Sequence, residues 1–312
     1  MDLNLLEPFK HPIFAKHQLE VDILRLDRID PMISGNKWFK LQHLLHRPLK
    51  RTRILSFGGA YSNHLHALAR FGQQNGIPTI GVVRGELRST PTLEDCQKWG
   101  MQLYPLGREQ YRDIRADDET SLGGDLRREL RARFGDFYLL PEGGATREAI
   151  SGCGDIWGYV PKDYRPSRVL VSVGTGATLT GLIAKAPPGI QVDGVAAIGD
   201  AGYLVQVVST LLYGRELEEG VRWSLNSALP LRFAKLNGEL AALWYRAEEA
   251  GVELDPVYTL RMLHYLLRNI LAGNYRKGER ILLIHTGGLQ GLRGQRENLS
   301  RLASAHCGPM PL

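Results

Sequence analysis

The residues best suited to chemistry lie in a loop that leads into a predicted helix, Ser34-Gly35-Asn36-Lys37-Trp38-Phe39-Lys40-Leu41. This segment supplies two lysines one helical turn apart, Lys37 and Lys40. A lysine is usually a solvated surface residue, so the pair becomes informative only beside a second functional feature. A lysine amine can bond covalently to a carbonyl compound when other residues bind and orient that compound.

A glycine-rich turn supplies such a feature. The apolar run Val169 to Val173 is typical of a buried strand, and Gly174-Thr175-Gly176-Ala177-Thr178 follows it where a helical pattern begins. The two glycines let the backbone approach a ligand closely, while the helix N-terminus and the threonine hydroxyls offer hydrogen-bond donors. The composition favours a phosphate-binding loop, although an ordinary tight turn uses similar residues.

A dinucleotide-binding loop is the alternative interpretation of this turn. Gly174 and Gly176 begin a G-x-G pattern, and Asp193 lies about 20 residues further on, where a ribose-binding acid is expected. However, the third glycine position is Leu179, and Asp193 falls at the start of its predicted strand instead of its end. The Gly-Lys-Ser/Thr ending of a nucleotide P-loop is also missing. An NAD-binding or non-catalytic α/β protein stays open as a second hypothesis.

Two further polar turns follow predicted strands and begin at Gly58 and His285. In the first, Ser62 and Asn63 are good N-terminal caps for the helix that follows. The carboxyl ends of parallel strands meet at one edge of a sheet, where ligands bind. We therefore expect all three turns and the lysine segment to face one cleft.

A phosphate-binding loop without nucleotide machinery, together with a lysine at a helix entrance, indicates pyridoxal 5'-phosphate. That cofactor requires one phosphate site and one lysine amine for its covalent attachment. The hypothesis gives Lys37 a specific role.

The motifs also resemble those of a known family, that of 1-aminocyclopropane-1-carboxylate deaminase and D-cysteine desulfhydrase. The family pattern Gly-Gly-Asn-Lys-x-x-Lys-Leu corresponds to residues 34–41, and Gly-x-x-Gln-Ser-Asn-His corresponds to residues 58–64. The phosphate loop corresponds to residues 174–181, Asp-Pro-Val-Tyr to residues 255–258 and His-Thr-Gly-Gly to residues 285–288. The order of the motifs across nearly the whole chain implies the tryptophan-synthase-β-like fold type II.

The resemblance implies a role for each cofactor contact. Lys37 is expected to hold the cofactor covalently and to move the α-proton of the substrate. Asn63 is expected to bond the ring hydroxyl, and Thr286 to be a neutral partner of the pyridine nitrogen. The phosphate contacts come from the second lysine and the glycine-rich turn, namely Lys40, Gly174, Thr175, Gly176, Ala177 and Thr178.

The substrate side of the site is implied in the same way. Ser62 is expected to face the substrate carboxylate or to act on its α-carbon, and Tyr258 to stand beside the substrate. Asn63 and His64 complete the expected substrate contacts. With Lys37, the residues Ser62 and Tyr258 form the expected catalytic group.

Four positions depart from the family pattern. Ser34 replaces the first glycine, and Tyr61 replaces the glutamine before the serine. Thr259 stands where the related deaminases carry a glutamate, and Ala234 is the best match to a second active-site tyrosine. These departures concern the substrate more than the cofactor.

The resulting hypothesis is a pyridoxal-phosphate-dependent lyase or deaminase acting on a small amino acid. We expect β-elimination from D-cysteine or a related D-amino acid, with 1-aminocyclopropane-1-carboxylate deaminase as the alternative within the class. 1-Aminocyclopropane-1-carboxylate has no removable α-proton, so opening its ring needs a protonated pyridine nitrogen as the electron sink. The neutral Thr259 cannot favour that protonated form by charge. The resemblance also implies a homodimer.

The composition is that of an ordinary globular protein, with 312 residues, 43% of them hydrophobic and 23% charged. The net charge is +6, but the basic residues form no blocks and are interspersed with acidic ones, as in residues 127–136. We therefore expect no nucleic-acid partner. A charged start followed by an apolar block is not seen, and no apolar run approaches the roughly 20 residues of a membrane helix. We expect a cytoplasmic protein without a membrane partner.

Metal and disulfide chemistry are not expected. Cys96, Cys153 and Cys307 are odd in number and far apart, so we expect reduced, structural thiols. His64 and His66 lie two residues apart, so on a helix they point in different directions.

Apolar runs that alternate with glycine-rich turns and helical patterns predict parallel β-α-β construction. The expected fold class is α/β, with two domains that each contain an open, twisted, mostly parallel sheet flanked by helices. The predicted large domain comprises residues 1–50 and 166–312, and the small inserted domain comprises residues 51–165. The clearest predicted strands are 53–57, 79–83, 102–104, 137–140, 169–173, 192–198 and 281–285.

Overall fold

The computed structural model describes residues 4–46, 52–116, 122–197, 201–228 and 235–305. The strands in these ranges form two separate sheets. They are β1 (Leu6–Pro8), β2 (Glu20–Arg25), β3 (Arg53–Gly58), β4 (Thr79–Arg84), β5 (Gln102–Leu106), β6 (Phe137–Leu139), β7 (Arg168–Val173), β8 (Gln191–Ala196), β9 (Arg222–Ser227) and β10 (Arg280–His285).

Helices connect most of the strands and cover both sheets. They are α1 (Pro12–Lys16), α2 (Asn36–Gln42), α3 (Asn63–Asn75), α4 (Pro91–Lys98), α5 (Arg108–Ala116), α6 (Gly124–Phe134), α7 (Arg147–Gly154), α8 (Ala177–Ala184), α9 (Ala201–Leu212), α10 (Gly238–Glu249), α11 (Thr259–Leu271) and α12 (Arg296–Ser304). In the part of the chain that the structure describes, no helix has the length and apolar character needed to cross a membrane.

The larger sheet has the strand order β1-β2-β10-β7-β8-β9. All neighbouring strands are parallel except the edge strand β1, which pairs antiparallel with β2. Side chains alternate along each strand, so Leu170 packs against α10 and α11 on one face while Val169 and Val171 pack against α8 on the other. Burial on both faces explains why the central strands are continuous apolar runs.

The smaller sheet has the order β5-β4-β3-β6, and its strands are all parallel. Ile54 and Val83 pack toward the core that contains α3, whereas Leu55 and Val82 pack toward α5 and α6. The predicted α/β class with two mostly parallel sheets flanked by helices is therefore confirmed.

The boundaries between the two predicted domains remain our proposal. All four strands of the smaller sheet lie inside the predicted range 51–165. The first predicted crossing, near residues 47–50, lies outside the described residues. Helix α7 falls inside the range 51–165 but packs closely against α8 and α2, because glycines on α7 and α8 let their backbones approach.

The contact between α7 and α8 gives a test of the packing beneath the glycine-rich turn. A Cβ atom on Gly181 would lie 2.3 Å from the Ile150 carbonyl oxygen, which is backbone and cannot move aside cheaply. We predict that Gly181→Ala lowers the free energy of unfolding by about 1–3 kcal/mol, although alanine is the better helix former. Denaturant unfolding measures the change.

Gly158→Ala is the matched control, because a Cβ atom on Gly158 would meet no atom within 4 Å. A stability loss equal to that of Gly181→Ala would contradict the close-contact explanation.

Candidate active site

The lysine segment meets the end of β10 at a close backbone contact. The Asn36 N–H donates a hydrogen bond of 3.2 Å to the Thr286 carbonyl oxygen. Gly35 has φ +68°, and a Cβ atom on it would lie 2.0 Å from that oxygen, so only glycine fits here. The contact places the start of α2 at the carboxyl edge of the larger sheet, as the sequence predicts.

Lys37 is the second residue of α2 and is half-buried. Its Nζ donates a hydrogen bond of 2.9 Å to Asn36 Oδ1. Burial lowers the pKa of Lys37 to about 7, and the neighbouring cation Lys40 contributes to the shift, while Cys153 and Asp255 oppose it. At neutral pH a large share of the Lys37 amine is therefore uncharged and able to act as a nucleophile or a base.

Lys40 lies one turn further along α2 and is buried. Its Nζ donates hydrogen bonds to the Gly143 carbonyl oxygen at 2.9 Å and to Thr175 Oγ1 at 3.4 Å. Burial lowers its pKa as well. Among the described residues no carboxylate forms an ion pair with either lysine, so the lysine pair creates a positive, partly desolvated region beside the glycine-rich turn.

The glycine-rich turn forms the start of α8. Gly176 adopts the left-handed conformation with φ +84°, and α8 begins at Ala177. The positive end of the helix dipole therefore faces the same region as the Lys40 amine. A buried cation beside a helix N-terminus is unfavourable unless an anion binds there, and a phosphate group has the charge and acceptors that this arrangement requires.

The hydrogen bonds of the Thr178 hydroxyl leave its hydrogen available for an anion. Its oxygen accepts from Asn36 Nδ2 at 2.9 Å and from the Cys153 thiol at 3.7 Å. A hydroxyl has two acceptor lone pairs and one donor hydrogen, so both lone pairs are used and the hydrogen must point elsewhere. The arrangement fits a phosphate oxygen as the acceptor.

Two residues in this network were not predicted as site residues. Asn36 links the Lys37 amine to the Thr178 hydroxyl, since its amide oxygen accepts from one and its amide nitrogen donates to the other. Cys153 is buried and is a free thiol, as predicted, but its contact with Thr178 connects it to the site. Asn36 adjoins Lys37 in the quoted motif, whereas nothing in the sequence singles out Cys153.

Ser62 and Asn63 lie at the start of α3, as predicted. Ser62 is the N-cap residue, and its Oγ accepts a hydrogen bond of 3.2 Å from the Leu65 N–H. Asn63 Oδ1 accepts a hydrogen bond of 2.9 Å from Gln290 Nε2, which belongs to the 3₁₀ segment Leu289–Gly294 after β10. Asn63 Nδ2 lies 2.8 Å from the position that a Cβ atom on Gly288 would occupy. These contacts bring the second and third polar turns together.

His64 is buried against the smaller sheet. Its Nε2 lies 2.8 Å from Ser56 Oγ, and that hydroxyl donates to the Leu140 carbonyl oxygen at 2.8 Å. The Ser56 hydrogen is thereby used, so His64 must donate from Nε2. Burial, with Lys37 and Lys40 nearby, keeps the pKa of His64 well below its usual value. The ring supports the fold here, and a substrate contact by His64 stays a prediction.

His66 points away from His64, as its spacing on the helix predicts. Its Nε2 lies 3.1 Å from Asp95 Oδ2 on α4.

The Asp-Pro-Val-Tyr motif forms the N-terminus of α11. Asp255 Oδ1 accepts from the Tyr258 N–H at 2.8 Å, and Asp255 Oδ2 accepts from the Thr259 N–H at 2.9 Å and from the Thr259 hydroxyl at 2.6 Å. Thr259 is fully buried, and its hydroxyl is therefore committed to the helix cap. Asp255 Cγ lies 3.3 Å from the Cβ position of Gly288, which places the cap beside the turn after β10.

A buried polar network supports the turn that carries Thr286. The His285 ring bonds the Glu253 carbonyl oxygen through Nε2 at 2.8 Å and accepts from the Gly287 N–H through Nδ1 at 3.2 Å. Arg25 pairs with Asp27 through two hydrogen bonds, of 2.9 and 2.7 Å, and Asp27 lies 3.3 Å from His285 Nδ1. Burial opposes ionisation of Asp27, but the hydrogen bonds from Arg25 hold its pKa below the usual value.

The position predicted for a second active-site tyrosine, Ala234, lies outside the described residues. Asp193, the acid of the dinucleotide hypothesis, lies near the start of β8 and forms an ion pair with Arg168. It therefore supports the sheet instead of facing the glycine-rich turn.

Comparison with known proteins agrees with the predicted resemblance. No model of a known protein family matches this sequence. A bifunctional D-cysteine desulfhydrase/1-aminocyclopropane-1-carboxylate deaminase from Arabidopsis thaliana is 25% identical, over 91% of this chain and 76% of its own length. A D-cysteine desulfhydrase from Serratia proteamaculans is 24% identical, over 86% of this chain and 87% of its own length.

The fold comparison gives the same class. The crystal structure of a 1-aminocyclopropane-1-carboxylate deaminase homologue matches with a TM-score of 0.77 at 25% identity, over 95% of this chain and 93% of that one. The structure therefore has the predicted tryptophan-synthase-β-like enzyme fold. Over most of its length the chain is therefore similar to 1-aminocyclopropane-1-carboxylate deaminases and D-cysteine desulfhydrases, which agrees with the resemblance of its motifs.

The lowered pKa of Lys37 predicts amine reactivity near neutral pH. An ordinary lysine amine becomes uncharged only around pH 10.4, whereas Lys37 should lose its proton around a pH of about 7. Labelling with a small amine-reactive reagent, followed by peptide mass spectrometry, should show modification of Lys37 rising between about pH 6 and 8.

Lys40→Gln is the control, because removing the neighbouring cation should move the midpoint of Lys37 labelling upward. A wild-type midpoint above about pH 10 would contradict the lowered pKa.

Proposed function

We propose that the protein is a pyridoxal-phosphate-dependent lyase that catalyses β-elimination from D-cysteine or a related small D-amino acid. One observation carries the proposal: the Lys37 amine, with a pKa lowered to about 7, lies one helical turn from a buried lysine that faces a phosphate-type turn. The relative from Serratia proteamaculans, which is named as a D-cysteine desulfhydrase alone, supports the choice of reaction.

The residues of the site fit the cofactor. The phosphate would bind at the start of α8, through Lys40 and the turn Gly174 to Thr178, where the Thr178 hydrogen needs an acceptor. Asn63 would bond the ring hydroxyl. Thr286 would be the neutral partner of the pyridine nitrogen, and its carbonyl oxygen already fixes the start of α2.

The bound cofactor supplies a carbonyl for attachment to a lysine amine and an electron sink for the α-carbon of the substrate. Lys37 Nζ provides the attachment point and afterwards accepts the α-proton, for which its lowered pKa is suited. Asn36 Oδ1 holds Nζ by a hydrogen bond of 2.9 Å when the amine is free. Ser62 and Tyr258 would face the substrate carboxylate and the departing group.

The environment of Thr259 favours elimination over ring opening. The related deaminases carry a glutamate at this position, whose charge would keep a pyridine nitrogen protonated. Here the position is a buried threonine whose hydroxyl donates to Asp255. The Asp255 carboxylate is itself engaged by the N–H groups of α11. Loss of thiolate requires a weaker electron sink, because Lys37 can remove an α-proton.

We propose a homodimer on the basis of the resemblance. Two exposed tyrosines, Tyr203 on α9 and Tyr213 just after its end, are of a residue type that is enriched in protein interfaces.

The proposal predicts a specific product pattern. Protein loaded with pyridoxal phosphate should release sulfide and pyruvate from D-cysteine and little or no 2-oxobutyrate from 1-aminocyclopropane-1-carboxylate. L-Cysteine and D-serine complete the substrate panel, because they separate stereochemical preference from the choice of leaving group. Lys37→Ala should abolish turnover, since it removes the proton acceptor and the attachment point.

Lys277→Ala is the matched control, because Lys277 is exposed and lies before β10, at the edge of the larger sheet opposite the carboxyl edge that carries the site. Normal turnover in Lys37→Ala would contradict the assignment of the site. Equal efficiency in ring opening and sulfide release would contradict only the argument from Thr259, and the assignment of the site would stand.

A further inference from the structure

We infer that Gln290 is a positioning residue that turns the donor end of the Asn63 amide toward the cofactor, an inference that rests on the proposed function. The two residues lie in segments that follow strands of different sheets. Asn63 begins α3 after the smaller sheet, whereas Gln290 lies in the segment Leu289–Gly294 after the larger one. Gln290 Nε2 donates to Asn63 Oδ1 at 2.9 Å across the junction.

The direction of this bond determines what Asn63 can offer to a ligand. A side-chain amide has a donor nitrogen at one end and an acceptor oxygen at the other. Gln290 engages the oxygen, so the Nδ2 end of Asn63 is left for another partner. That nitrogen lies over Gly288, where any side chain would collide with it, since a Cβ atom would come within 2.8 Å.

The segment Leu289–Gly294, which carries Gln290, packs against the elements around Asn63, namely α4 and the turn before α3. Arg293 pairs with Asp95 on α4, and the Tyr61 ring covers Gly294, where a Cβ atom would come within 2.4 Å of it. Among the described residues, the other end of the Gln290 amide, Oε1, is buried and has no hydrogen-bond partner. The bond to Asn63 is therefore what fixes the Gln290 side chain.

The orientation has a chemical consequence for the ring hydroxyl of pyridoxal phosphate. A donor at Asn63 stabilises the ionised oxygen, whereas an amide oxygen in the same place would repel it. Gln290 thereby favours the ionised hydroxyl without touching the cofactor. The role is distinct from that of Asn63, because it decides which end of the amide is presented.

Gln290→Glu tests this role, because a carboxylate only accepts and would draw Asn63 Nδ2 toward itself. We expect the absorbance of the loaded protein at about 420 nm to fall and a band at shorter wavelength to rise. We also expect the dissociation constant for pyridoxal phosphate to increase by at least about tenfold, as for a lost bond to a charged group. Gln290→Met, which removes the donor without an attractive acceptor, should have a smaller effect on the spectrum.

Two controls separate positioning from a structural role. Gln73→Glu makes the same change at an exposed position of α3 and should leave the spectrum unchanged. In an Asn63→Ala background, Gln290→Glu should have no further effect on the spectrum, because the amide that it turns is gone.

An unchanged spectrum in Gln290→Glu, or an equal change in the Asn63→Ala background, would overturn the inference alone. Wild-type protein that gives no band at about 420 nm with pyridoxal phosphate would overturn the proposed function, and this inference with it.

Discussion

The pairing of a half-buried lysine amine, Lys37, with a buried one, Lys40, one helical turn away is the constraint on which the rest of the site depends. Neither amine has a carboxylate partner among the described residues, and the start of α8 adds further positive potential. Such an arrangement is unfavourable in the absence of an anion. Burial, with Lys40 nearby, lowers the pKa of Lys37, and the same pair of lysines makes the region beside the start of α8 favourable for an anion, as the proposed phosphate site requires.

The fold provides this arrangement by close backbone contacts. Gly35 brings α2 against the Thr286 carbonyl, and Gly181 brings α8 against α7. Asn36 on α2 then bonds Thr178 at the start of α8, and Gln290, after the larger sheet, bonds Asn63, after the smaller one. The site is therefore a property of both sheets together.

Sequence reasoning found the parts with strong local signals. The runs before Gly58 and Gly174 predict buried parallel strands, and Ser62 predicts the cap of α3. It did not find β2 or β9, because polar residues interrupt Glu20–Arg25 and Arg222–Ser227 and weaken the apolar pattern. It also missed the contacts of Cys153 and Gln290. Their partners lie 25 and 227 residues away in the chain, so only the tertiary structure brings them to the site.

Locating the cofactor attachment tests the central claim most directly. Protein loaded with pyridoxal phosphate is reduced with borohydride, which makes the covalent bond permanent, and is then digested for peptide mass spectrometry. The electrostatics of the site predict one cofactor-derived mass per chain, on Lys37, with Lys40 unmodified. Attachment at any other lysine, or no stable attachment under conditions in which the cofactor is in excess, would contradict the assignment of Lys37 as the reactive amine.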